Sequence, residues 1–316
     1  MNDPLISDWR FKALLISVLF AAGGYLLVSV YSGWQAVTHG IVRVGLGGLS
    51  IALGLSLVNY TLRFLRWQMY LFVLGHRLPI WIHLRIYLAG FALTTTPGKT
   101  GEAVRSVLLK RFDVPYAGSL AALFSERLSD LIGVLLLAGF GLHFYPQARS
   151  AVLIAALVIL LGLVLLANES WMQALLHRTA HPTGRLGRLI RHSLQLLYQA
   201  RLCLSFRLIV LATLLSLAAW SAEAFAFHWI LVWMGVDLPL RYAVFVYALS
   251  MLAGAISVMP GGLGGAEAAM VALLLIKGVS MPDAVAATVI IRLSTLWFAV
   301  GLGIAALGLV RHEASA

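Results

Sequence analysis

The feature that most constrains this chain is the recurrence of long apolar runs. A helix rising ~1.5 Å per residue crosses the ~30 Å hydrocarbon core of a bilayer in ~20 residues. Runs of that kind occupy residues 11–31, 43–62, 117–142, 150–167, 208–234 and 283–309. Only 11% of the 316 residues are charged and mean hydropathy is +0.93, whereas a soluble domain carries roughly 25% charged residues. Backbone in hydrocarbon must satisfy its own hydrogen bonds, which leaves helices as the spanning elements for runs of this length. The sequence therefore predicts an all-α integral membrane protein, with residues 1–316 as a single polytopic domain. The first run, Phe11 to Tyr31, is long for a signal-peptide core and lacks a small-residue cleavage site, so it reads as a retained anchor. The longest polar stretch, residues 168–207, leaves no room for a separate soluble catalytic domain.

Two regions depart from the simple span. Residues 84–112 run apolar, break at Thr94-Thr95-Thr96-Pro97-Gly98, and resume as a helix with Lys99, Glu102 and Arg105. Residues 242–277 repeat this, with the break at Met259-Pro260-Gly261-Gly262-Leu263-Gly264-Gly265 and a helix beginning near Glu267. Proline and glycine clusters break helices, and broken backbone at membrane depth survives only where protein or water covers it. The second arms are short, so both regions are expected to be re-entrant hairpins, with Pro97, Gly98, Gly101, Pro260, Gly261, Gly262 and Gly264 at their tips. The expected architecture is six full spans plus two hairpins.

Net charge is +11. In a soluble protein that could signal nucleic acid; here the basic residues fall mostly in short loops, the positive-inside pattern. Arg10 and Lys12 precede the first span; Arg63, Arg66, Arg77 and Arg85 are read as following the second; Lys110 and Arg111 end the first hairpin; Arg311 follows the last span. Segment 168–207 holds Arg178, Arg185, Arg188, Arg191, Arg201 and Arg207 against Glu169 alone. All lie on one side if both termini are cytoplasmic, which places the protein in the inner (cytoplasmic) membrane. Within that segment Leu186, Leu189, Ile190, Leu194 and Leu197 recur at helical spacing opposite arginines, which predicts an interfacial helix in a basic cytoplasmic loop. Trp9, Trp34, Trp67, Trp81 and Trp171 read as interfacial anchors.

The chain also resembles itself. Shifted by 165 residues, 102–131 aligns with 267–296 without a gap at eleven identities in thirty positions. Glu102 falls on Glu267 and Arg127 on Arg292, each arginine 25 residues after its glutamate. One additional span separates a first repeat, 43–142, from a second, 208–309, so the second enters from the opposite face. Inverted repeats whose broken helices meet near the midplane recur among secondary transporters.

Nine charges then fall at membrane depth: Lys99, Arg105, Arg127 and Arg292 against Glu102, Glu126, Asp130, Glu223 and Glu267. Each costs at least ~2.5–3.5 kcal/mol at the centre of a spanning helix, so they must pair or line a watered cavity. Two readings stand for Glu102–Arg127 and Glu267–Arg292. They are permanent struts, or the arginines hold an anionic headgroup, whose phosphate matches a guanidinium fork, while the glutamates balance them in the empty state and carry protons. Buried pairs stabilise poorly against apolar replacements, and this favours function for the set as a whole. Free N–H groups at the hairpin helix N-termini are expected to favour anions too.

Other chemistries find no support. Cys203 is the single cysteine, His83, His143 and His228 lack metal-ligand spacing, and Gly261-Gly262-Leu263-Gly264-Gly265 lacks the lysine–serine pair of a nucleotide loop. No Ser/His/Asp set is evident. The expectation is a protein that is not an enzyme, with no metal, no cofactor and no nucleic-acid partner.

Four motifs in order carry a family resemblance. They are Pro97-Gly98 with Gly101-Glu102 and Arg105; Glu126-Arg127 with Asp130; Pro260-Gly261-Gly262-Leu263-Gly264 with Glu267; and Arg292 with Trp297. Over roughly residues 40 to 310 the chain resembles the flippase-like transmembrane region of lysylphosphatidylglycerol synthases and its stand-alone relatives. The resemblance implies movement of an anionic phospholipid or lipid-linked precursor between leaflets, without the aminoacyl-transferase domain of the bifunctional members. Membrane lipids are the expected partners, and a homo-oligomer or a lipid-biosynthetic enzyme is compatible with the chain. The alternatives are an ion-coupled solute transporter and a non-transporting partner of a lipid-modifying enzyme.

Overall fold

A computed structural model of the chain describes residues 34–95, 102, 104–179, 184–257 and 259–315. The expected first span, 11–31, and the tip residues Pro97, Gly98, Lys99 and Gly101 lie outside the described residues. Among the described residues the secondary structure is helical throughout. The helices are α1 (Trp34–Val73), α2 (Ile80–Ala89, continued by a 3-10 turn Gly90–Leu93), α3 (Val104–Leu109), α4 (Tyr116–Gly139), α5 (Arg149–Ala167) and α6 (Glu169–Arg178). They continue as α7 (Gly184–Ala200), α8 (Phe206–Trp233), α9 (Leu240–Ile256), α10 (Gly265–Ile276), α11 (Met281–Arg292) and α12 (Phe298–Ser315).

Four stretches are long and apolar enough to cross a membrane: Trp34–Val73, Pro146–Ala167, Phe206–Trp233 and Met281–Leu309. They coincide with the expected runs 43–62, 150–167, 208–234 and 283–309. Helix α4 has the length, 24 residues, but carries Glu126, Arg127 and Asp130 in its middle. The most apolar window of Pro146–Ala167 is only 11% buried, so α5 is peripheral; that of Met281–Leu309 is 61% buried, so α11 and α12 run through the centre. Between those two helices, Leu293–Trp297 forms a π-helical turn directly after Arg292. Such widened turns are rare and cluster at functional sites.

The second expected span is longer than the sequence indicated. Helix α1 spans 40 residues, broken only at Gly45, whose φ of 67° leaves the helical region. It continues through Arg63 and Arg66, and both are buried within it. They are therefore not loop charges, and the positive-inside tally loses two members; Arg77 and Arg111, outside the helices' buried faces, still count. Trp67 is likewise corrected: it is fully buried rather than interfacial, whereas Trp34, Trp81 and Trp171 are exposed.

Both expected hairpin regions are helix–break–helix. In the second, α9 and α10 run antiparallel: Tyr242 Oη at the base of one donates to the Leu273 carbonyl near the base of the other (2.5 Å). Near the tip, a Cβ on Gly254 would sit 2.9 Å from the Ala266 Cβ. At ~1.5 Å per residue, the 12-residue α10 is about 18 Å long and the six-residue α3 about 9 Å, both short of a ~30 Å core. The glycine-rich break has a backbone reason. Gly261, Gly262 and Gly264 have φ of 63°, 69° and 85°, a region that costs other residues about 1–2 kcal/mol each. The two breaks lie against each other, since a Cβ on Gly261 would be 3.4 Å from the Thr95 Cα.

Helix α7 lies in the segment where the sequence predicted an amphipathic helix. Leu186, Leu189 and Ile190 are exposed along one face, and Arg201, just beyond its end, pairs with Glu169 at 2.8 Å.

Candidate functional site

Helix α4 presents Ser125, Glu126, Ser129, Asp130 and Gly133 on its buried side. The three- and four-residue spacing puts them on one face, toward α1 and α8. Gly133 lets α8 approach: a Cβ there would stand 2.7 Å from the Ser216 Cβ. Against this face α1 projects Arg63 and Arg66. Arg66 Nη2 donates to Asp130 Oδ1 (2.7 Å), and its other arm donates to Ser216 Oγ. Arg63 Nη2 lies 3.4 Å from Glu126 Oε1 and 3.5 Å from Asp130 Oδ2. From α3, Arg105 Nη1 donates to Glu126 Oε2 (2.9 Å). Its guanidinium lies over the Tyr87 ring at 4.1 Å, with Trp67 at 5.2 Å on another side. Arg127 Nη2 donates to Glu102 Oε2 (2.8 Å) and to Glu126 Oε1 (3.3 Å). Tyr87 Oη and Trp220 Nε1 add donors to Glu126 (3.2 Å) and Asp130 (3.0 Å).

The second half is simpler. Arg292 Nε donates to Glu267 Oε1 (2.6 Å) and Nη2 to the Gly261 carbonyl (2.9 Å). The other oxygen of Glu267 accepts from the Gly264 N–H (2.6 Å). That contact changes one expectation: the N-terminus of α10 is already occupied by a carboxylate of its own first turn, so an incoming anion meets Arg292 rather than free N–H groups. Glu223 on α8 accepts from Tyr247 Oη on α9 (2.5 Å).

The structure thus brings Glu102, Arg105, Glu126, Arg127 and Asp130 into one network, and places Glu267 on Arg292 and Glu223 on Tyr247. Both glutamate–arginine pairs 25 residues apart are bonded. Sequence reasoning missed Arg63 and Arg66. The signal was available: apolar and aromatic residues continue past both (Phe64, Leu65, Trp67, Met69, Tyr70, Leu71), so the run does not end at Arg63. Four arginines, 63, 66, 105 and 127, face three carboxylates, 102, 126 and 130, in this network, leaving one excess positive charge when all are ionised.

The network has a dry side and a wet side. Arg66, Arg105 and Glu126 have fully buried side chains, whereas Arg127 is 27% exposed. The exposed atoms open on a cavity of about 360 Å³ between the two halves of the chain. Arg63, Arg127, Asp130 and Glu102 line it from the first half, Glu223, Tyr247 and Arg292 from the second, and the Gly261-Gly262 break lies against it. Most of the remaining wall is apolar or aromatic, including Tyr60, Phe91, Trp220 and Leu296, with Thr94 and Thr295 as polar exceptions. Nε of Arg63 and of Arg127 is buried without a hydrogen-bond partner among the described residues. Among the described residues His83 is buried with neither ring nitrogen bonded, and no group of three or more His, Cys, Asp or Glu is disposed to hold a metal.

Fold and site define a polytopic helical membrane protein built around a buried guanidinium–carboxylate network that opens on a central cavity. Residues 13–303 match the family described as the lysylphosphatidylglycerol synthase TM region. The chain belongs to that family. Two proteins of Methanothermobacter thermautotrophicus, each named a UPF0104 membrane protein, are similar to it. One is 22% identical over 315 residues, covering 93% of this chain and 91% of the relative. The other is 26% identical over 238 residues, covering 68% and 70%.

Proposed function

We propose that this protein moves an anionic phospholipid or lipid-linked precursor between leaflets, its headgroup held in the cavity by Arg63, Arg127 and Arg292. The single observation that carries this reading is the mixed wall of that cavity. Arginine side chains reach the cavity among apolar surface, as a phosphate joined to acyl chains requires. A guanidinium fork matches two phosphate oxygens at once. The buried remainder of the network, Arg66, Arg105, Glu126 and Asp130, holds those arginines in place, and Glu102 and Glu267 balance Arg127 and Arg292 until the headgroup arrives. The short helices α3 and α10 fit re-entrant hairpins that break beside the site, where Gly261 approaches Thr95, in two inverted repeats with both termini cytoplasmic. The chemistry is transport rather than catalysis, in the cytoplasmic membrane.

The test is leaflet exchange of fluorescent phosphatidylglycerol in proteoliposomes. Wild-type protein accelerates exchange over empty vesicles. Arg127→Ala removes charge-assisted hydrogen bonds worth about 1.5–3 kcal/mol, slowing exchange roughly ten- to a hundredfold. Exchange no faster with protein than without it overturns the reading.

A further inference from the structure

The carboxylates around the cavity are not equivalent. Glu102 has Arg127 at 2.8 Å, Glu126 has Arg105 at 2.9 Å, Asp130 has Arg66 at 2.7 Å, and Glu267 has Arg292 at 2.6 Å. Glu223 is 5% exposed, lines the same cavity and makes no ion pair among the described residues; its one hydrogen bond comes from the neutral hydroxyl of Tyr247. The titratable and charged groups facing it are Tyr60 and Arg63 from α1, Asp130 from α4, Tyr247 from α9 and Arg292 from α11. Both arginines among them are engaged by carboxylates of their own. Those arginines support the ionised Glu223 only from a distance, so its buried carboxyl takes a proton once that support is withdrawn.

Charge bookkeeping links that proton to the cargo. Arginines 63, 66, 105, 127 and 292 outnumber the paired carboxylates 102, 126, 130 and 267 by one. With Glu223 ionised the described site is neutral; with Glu223 protonated it carries one positive charge, which a phosphodiester anion cancels. A low-dielectric site favours the two neutral states, empty with Glu223 ionised and filled with Glu223 protonated. Arrival of the phosphate also withdraws Arg63 and Arg292 as distant support for the carboxylate. We propose that Glu223 is a proton-binding site through which one proton travels with each anionic headgroup, making the movement an electroneutral symport. The O–H bond forms from water on the side of loading and breaks to water on the side of release, with no other bond changed. The proton site stands on the geometry of Glu223; its link to the cargo rests on the headgroup reading above.

Three measurements separate the two. First, infrared difference spectra of purified protein at neutral pH show a protonated carboxyl band that appears on adding phosphatidylglycerol in wild type and is missing from Glu223→Gln. Second, in weakly buffered detergent solution a pH dye reports about one proton taken up per phosphatidylglycerol bound, and none by Glu223→Gln. Third, in vesicles, wild-type exchange responds to an imposed pH gradient and not to a potassium–valinomycin potential. Tyr247→Phe, which keeps the carboxyl but removes its donor, shifts the pH profile of exchange. Glu223→Gln keeps a hydrogen-bond acceptor for Tyr247, and its melting temperature checks that it folds. Binding without proton uptake, or exchange driven by potential and indifferent to pH, overturns the proposal and leaves lipid movement standing. Absence of lipid binding together with a carboxyl band that never appears between acid and neutral pH overturns both.

Discussion

Arg127 and Glu102 are the residues where strut and binding site can be told apart. Losing one partner of a buried pair costs up to roughly 3–5 kcal/mol, and less here, because Glu102 keeps Arg105 at 3.7 Å and Arg127 keeps Glu126 at 3.3 Å. Arg127→Ala and Glu102→Ala are each expected to lower thermal stability clearly, and the double variant to recover most of it. If the pair is a strut, recovered stability brings recovered leaflet exchange; if Arg127 holds the headgroup, the double variant folds and stays slow. Full exchange in the double variant removes Arg127 from the binding role. At this scale the sequence was partly legible. Glutamate–arginine spacing of 25 residues was enough to pair Glu102 with Arg127 and Glu267 with Arg292, because both pairs bond within their own half. The partners of Arg66 were not legible, since its carboxylate is Asp130 on another helix 64 positions away and its hydroxyl is Ser216, 150 positions away. Hydropathy averages along the chain and is blind to partners across it.

Among the elements, the hairpins carry the boldest expectation. Arms of about 9 and 18 Å cannot cross the core alone, so the chain ends flanking each hairpin should share a face of the membrane. Cysteines at exposed positions test this against a low background, because Cys203 is buried. Arg77→Cys and Arg111→Cys are expected to label from the cytoplasmic side together with Arg188→Cys, and Asp237→Cys and Lys277→Cys from the opposite side together with Gln147→Cys. Opposite labelling within either flanking pair turns that hairpin into two full crossings. Span existence was legible because a run of spanning length needs only composition. Span ends were harder to read: Arg63 and Arg66 interrupt the apolar run, yet α1 continues to Val73 because its arginines are neutralised by α4 and need not seek water.

For the whole molecule, the placement of ionised groups in the middle of α4 has a consequence for biogenesis. Glu126, Arg127 and Asp130 are the eleventh, twelfth and fifteenth of its 24 residues. At about 2.5–3.5 kcal/mol each they oppose entry into lipid by roughly 8–10 kcal/mol. The ten Leu, Ile, Phe and Val residues of Tyr116–Gly139 return only about 0.3–0.6 kcal/mol apiece. A nascent α4 leaving the translocon alone is therefore expected to stay out of the bilayer, whereas α8, with Glu223 as its one central ionisable group, should enter unaided. Glycosylation mapping of each segment in a neutral host protein reads this directly, and efficient insertion of isolated α4 contradicts it. The arginines that rescue α4 lie on α1, synthesised some sixty residues earlier. The first half of the chain then has to be retained beside the translocon until its opposite charges have met, and a variant lacking Arg63 and Arg66 should be lost to quality control before it is ever asked to carry a lipid.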